Sequence, residues 1–78
     1  MVINLSERTL TAARLYFAGV TDAEIDIDAA NDASAAYCMD QGAMKRTSRR
    51  IAALPAEWES KVWASEAKRD KDARLAAR

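Results

Sequence analysis

The chain has no histidine, one cysteine (Cys38), one proline (Pro55) and two glycines. Each shortage removes a class of chemistry. Without histidine there is no Ser–His–Asp triad, no Cys–His nucleophile pair and no Cys/His zinc framework. A single thiol cannot close an internal disulfide; it suits a reducing cytoplasm, and on an alanine-rich stretch Cys38 reads as a small buried apolar residue. No apolar run approaches the roughly 20 residues that span a bilayer. Met1–Leu5 is too short and too polar at its edges for a secretory signal. The expected location is cytoplasmic.

Bulk is also scarce. Half of the 78 residues are apolar, but 18 of those 39 are alanine. A single domain of this length buries only about 60–65% of its unfolded surface. The core must come from Leu10, Leu15, Phe17, Val20, Ile25, Ile27, Tyr37, Met44, Ile51, Leu54, Trp58, Val62 and Trp63. Burying each contributes on the order of 1.5–3 kcal/mol, against about 1.5 kcal/mol of ordering entropy for every residue fixed. So close a balance implies a second subunit, and a homodimer or larger complex is expected.

What the chain does have is helix-forming sequence. From Asp32 to Leu54, Tyr37, Met44 and Ile51 recur every seven residues, interleaved with Asp40, Thr47 and Leu54. Two of the interleaved residues are polar, so a single stripe packing on a neighbour fits better than a coiled coil. Tyr37, Met44 and Ile51 are the expected dimer seam. The alanines around them favour helix, and an unbroken rod would run to roughly 33 Å. Gly42 is its weak point, either tolerated inside the helix or ending it as a C′ residue. Pro55 closes the segment.

The flanks carry their own punctuation. Val2, Ile3 and Leu5 form an apolar lead, Ser6 reads as an N-cap with Glu7 in the first turn, and Gly19 reads as the C′ residue of a helix over 7–18. Thr21-Asp22-Ala23-Glu24 matches a capping box, with Val20 and Ile25 at the staple positions. It predicts a short helix over 22–30, then a bend near Asn31-Asp32, although Ile25-Asp26-Ile27-Asp28 alternates with period two. After Pro55 a last helix comes, with favourably ordered pairs Glu57–Lys61 and Asp70–Arg74. Its apolar stripe fades beyond Ala67, so 68–78 reads as a solvated, fraying end. The expected fold is therefore all-α: one domain over 1–78, a small bundle of three to four helices with one long central helix, completed by dimerisation.

A formal charge of zero hides strong segregation. Residues 1–20 carry +1, residues 21–44 carry −6 and residues 45–78 carry +5. Asp26, Asp28 and Asp32 are the candidate acidic patch, suited to a basic surface on another protein; the alternative is a solvated acidic face. Their spacing lacks the glycine and terminal glutamate of a calcium loop, and no metal or cofactor site is expected. Lys45, Arg46, Arg49 and Arg50 form two adjacent i,i+4 rows of positive charge able to neutralise a few phosphates. The alternative for them is pairing with the acidic segment of the same chain or a dimer mate. The absence of interleaved aromatics and a pI near 6.2 favour pairing. Trp58 and Trp63 are candidate partner anchors, with core packing as the other possibility. Five residues apart, they point roughly 140° apart around a helix.

The run Leu15-Tyr16-Phe17-Ala18-Gly19-Val20-Thr21-Asp22-Ala23-Glu24-Ile25 resembles the opening of helix-turn-helix regulators, where such a run precedes the first helix of the motif. The resemblance stops at once. Asp26 stands where that family wants a small apolar residue, Ala30 where it wants the turn glycine, and Asp32 where a recognition helix would face phosphate. DNA reading is not carried over.

The functional expectation is a small non-enzymatic protein–protein interaction module. It would be an inhibitor or adaptor occupying a partner's surface through the acidic patch and the two tryptophans. Size and charge alone place it beside phage host-takeover and anti-defence proteins, by analogy. The alternative is a nucleic-acid-binding accessory protein using the basic face at 45–50.

Overall fold

A computed structural model describes residues 5–76; Val2 and Ile3 of the apolar lead lie outside the described residues. Four helices form, α1 (Glu7–Phe17), α2 (Ile27–Tyr37), α3 (Gln41–Ala52) and α4 (Trp58–Ala76), with no strand among the described residues. The expected all-α small bundle is what this sequence makes.

Helix α1 begins and ends where its residues say it should. The Ser6 hydroxyl accepts from the Thr9 backbone N–H at 3.1 Å. At the other end Gly19 N–H donates to the Tyr16 carbonyl and Val20 N–H to the Leu15 carbonyl, both at 3.1 Å. This is a Schellman closure, with Gly19 left-handed at φ 92°. A Cβ there would also meet Ile25 Cγ1 at 3.0 Å, so a larger residue would have to shift that side chain besides adopting the left-handed backbone.

The long central helix is not continuous. It breaks at Cys38–Asp40, ahead of Gly42, which lies inside the first turn of α3. Met39 N–H donates to the Ala36 carbonyl at 2.9 Å and Asp40 N–H to the Ala35 carbonyl at 3.1 Å, so α2 closes with the same motif as α1. Met39 occupies the left-handed position at φ 71° where glycine is usual. Asp40 then turns from stop to start, its carboxylate accepting from Ala43 N–H at 2.9 Å to cap α3. The break lets α3 fold back on α2, and Ala36, Ala43, Met44 and Leu10 make a buried cluster that a straight rod could not close. A left-handed non-glycine costs roughly 1–2 kcal/mol. Met39→Gly should therefore raise stability by about 1 kcal/mol, read as a higher urea midpoint at unchanged m value. An unchanged or lower midpoint would contradict this account of the turn.

The capping box at Thr21–Glu24 does not start a helix. Asp22 is left-handed at φ 63°, Asp26 N–H donates back to the Phe17 carbonyl at 2.9 Å, and α2 begins only at Ile27. Asp26 supplies the cap instead, accepting from Ala29 N–H at 3.1 Å. A backbone bond tying Asp26 to the end of α1 leaves no room for another helical turn before it. The bend expected at Asn31-Asp32 is absent, since α2 runs through both. Cys38, expected inside, is exposed at the C-cap of α2.

Alanine builds the interior. Ala12 and Ala13 of α1 and Ala29 and Ala33 of α2 are fully buried, clustered with Phe17, Val20, Trp58 and Val62 in the larger core. Small side chains let the helix backbones approach closely, replacing volume by proximity. Helix α4 starts three residues after Pro55, and Trp58 N–H closes the turn on the Pro55 carbonyl at 3.0 Å. Asp70 and Arg74 pair at 3.0 Å, while Glu57 and Lys61 form no ion pair among the described residues. From Ala67 to Ala76 every residue of α4 is exposed. No helix among the described residues is long and apolar enough to cross a membrane.

Candidate functional site

Two of the charge clusters meet inside the chain. Asp32 on α2 faces Arg46 and Arg50 on α3, one turn apart. Arg46 donates Nε–H and Nη2–H to the two carboxylate oxygens at 3.1 Å each, a bidentate fork, and Arg50 Nη1–H donates to the same carboxylate. The Arg46 and then the Arg50 hydrogen bond hold the Asp32 carboxyl below its ordinary value of 3.8. The same contact pushes Arg46 further up. The clasp fastens the α2–α3 hairpin, and it places Asp32 in the fold rather than in an open patch.

Because the Asp32 pKa is lower folded than unfolded, its contribution is complete above 3.8 and is lost as pH falls through the lowered folded value. Stability should decline on acidification as the pH falls past the ordinary value of 3.8 and on through the lowered folded value. Asp32→Asn should be less stable at neutral pH and show a flatter decline, measured by urea melts at several pH values. Parallel profiles for the two proteins would rule out the clasp as the source.

With Arg46 and Arg50 so engaged, Lys45 and Arg49 are the members of the basic face without an ion pair among the described residues. Two point charges on an exposed helix make a small phosphate footprint.

The acidic end is different. Asp22, Glu24, Asp26 and Asp28 are exposed and unpaired among the described residues, and no lysine or arginine occurs between Arg14 and Lys45. Asp26 also serves as the α2 cap. Among the carboxylates stand Ile25 and Ile27, 63% and 68% exposed, in a chain that has little bulk to spare. Together with Tyr16 and Phe17 they wall an open groove of about 590 Å3, rimmed by Glu24, Asp26 and Asp28. The backbone loop around Asp22 and the start of α2 hold both isoleucines out of the core.

The other expected site residues sit elsewhere. Trp58 is buried, edge-on to Tyr16 with ring centroids 5.8 Å apart, so it is a core residue. Trp63 is half-buried under the Arg8 guanidinium, 4.3 Å from the ring centroid, and its Nε1–H is enclosed without an acceptor. The expected seam is dispersed: Tyr37 ends α2 and is exposed, Met44 is buried inside the protomer, and Ile51 packs partly buried against the main core. The break at Met39 rotates Tyr37 away from the other two.

No family model, curated protein or solved structure matches the chain. The surface itself must therefore indicate the function. Ile25 and Ile27 are the functional candidates that composition hides, since each reads as core. The signal was their period-two alternation with Asp26 and Asp28, which no helix start can bury on one side.

Proposed function

We propose that the protein is a non-enzymatic protein-interaction module, an inhibitor or adaptor, whose docking surface is the acidic, isoleucine-bearing end formed by residues 22–28. What supports this is the groove walled by Tyr16, Phe17, Ile25 and Ile27 and rimmed by unpaired carboxylates. Exposed aliphatic side chains supply area on binding, and a one-signed rim speeds encounter with a basic partner and rejects acidic ones. A cover for a basic surface that otherwise holds nucleic acid is the use such a patch suits. Compared with the expectation from sequence, Ile25 and Ile27 replace Trp58 and Trp63 as the apolar anchors, and Asp22 and Glu24 replace Asp32.

A photo-crosslinking side chain placed at position 27 tests the proposal in cells. It should join the protein to a partner with a basic surface, and the adduct should vanish when Glu24→Lys and Asp28→Lys are added with unchanged circular dichroism. The same probe at exposed Ala52 should give no such adduct. Equal adducts from both positions, or persistence in the charge-reversed protein, would defeat the proposal. An adduct to nucleic acid from position 49 alone would favour the basic face instead.

A further inference from the structure

The acidic end has a complement within the same chain. Helix α4 crosses α1 from Trp58, against Tyr16 near its C-terminal end, to Trp63, beneath Arg8 in its first turn. It then continues thirteen residues further to Ala76, a reach of about 20 Å. Residues 67–76 are exposed and carry four basic and two acidic side chains, net +2, against −4 over residues 21–28. Arg69 lies near Glu66 and Arg74 pairs with Asp70, leaving Lys68 and Lys71 without an ion pair among the described residues. Lys68, Lys71 and Leu75 fall at i, i+3 and i+7, so they share one helix face. Leu75 is 54% exposed, the bulky apolar residue of that face.

Groove and tail lie towards opposite ends of α1, in a molecule 49 Å long and only 23 and 19 Å across. A chain so shaped does not bring its own tail to its own groove. Two copies laid antiparallel do, and twice over. We propose that the first partner of the acidic groove is the α4 tail of a second copy, in a two-fold dimer. Leu75 enters between Ile25, Ile27 and Phe17, and Lys68 and Lys71 meet Glu24 and Asp28. Both contacts are made reciprocally, as a closed two-fold interface requires. This rests on residues 22–28 being a protein-docking surface and adds that the dimer masks it, so a foreign basic partner competes with self-association.

Sedimentation velocity on the full chain tests it. The wild type should form a dimer that dissociates on dilution and with added salt. Glu24→Lys with Asp28→Lys should weaken the dimer by about tenfold or more, as should Lys68→Glu with Lys71→Glu. Leu75→Asp, on an exposed turn of α4 outside both core clusters, should do the same. An equimolar mixture of the two charge-reversed proteins should regain the dimer, because each acidic groove or tail again faces a basic one. A wild type that stays monomeric at millimolar concentration, dimers indifferent to these changes, or a mixture that remains monomeric would each overturn it. If the wild type is monomeric yet position 27 still crosslinks a basic protein, the self-docking falls and the docking surface stands.

Discussion

Trp58→Ala should unfold a large part of the population at physiological temperature. Trp58 is buried at the junction of α1 and α4, edge-on to Tyr16, which is itself edge-on to Phe17 at 5.5 Å. Truncating a buried tryptophan costs roughly 3–5 kcal/mol through lost transfer energy and the cavity left behind. A chain of this length has only about 4–12 kcal/mol in total. Four of its partners in the core, Ala12, Ala13, Ala29 and Ala33, have no longer side chain to extend into the space. The melting temperature should fall by more than about 10 °C. A drop of less than about 5 °C would mean that α4 is an accessory to the bundle rather than part of its core.

Ala33→Leu is the opposite injury and should be nearly as severe. Ala33 is fully buried on the face of α2 that also carries Ala29 and Ala36. The substitution adds three carbons where backbones are close, which typically costs about 1–3 kcal/mol and here also pushes α1 and α2 apart. Loss of near-ultraviolet dichroism from Trp58 and Tyr16 should accompany the lower urea midpoint. The same change at exposed Ala52 should alter stability by less than about 0.5 kcal/mol. If Ala33→Leu proved as mild as Ala52→Leu, the close-packed alanine interior would be the wrong description.

Much of the architecture could be read from the residues because local physics and fold agree there. Ser6 and Gly19 bracket α1, Pro55 separates the last two helices, and the opposed charges of Asp32 and the arginines find one another. Three features were hidden for identifiable reasons. The break between α2 and α3 falls on Met39, a residue that gives no sign of a left-handed turn, whereas the residues offer a break only at Gly42. The Thr21–Glu24 box was outcompeted, because the Schellman turn at Gly19 and the Asp26 N–H bond to the Phe17 carbonyl fix the chain before a helix can start. Alanine favours helix and lets a neighbouring backbone come close, but a count of bulky core side chains leaves it out, so how much of the interior it fills emerges only with the fold.

The candidate site shifted for the same reason. Counting bulky residues assigns Ile25 and Ile27 to the interior together with the tryptophans, and only the frequency of tryptophan at interfaces makes Trp58 and Trp63 candidate anchors. The fold keeps Trp58 inside and turns both isoleucines out, since α2 begins at Ile27 and buries alanines on its inner face. A chain with so few large side chains still exposes two isoleucines among four carboxylates, and that end is the docking surface proposed here.

Concentration-dependent amide spectra of the uniformly labelled wild type test that claim most directly. On dilution, resonances of residues 23–28 and of residues 68–75 should shift together along one binding curve, while those of Ala43 to Thr47 in the α2–α3 hairpin stay fixed. Shifts confined to α3, or spectra unchanged at 23–28 over the whole concentration range, would contradict the account.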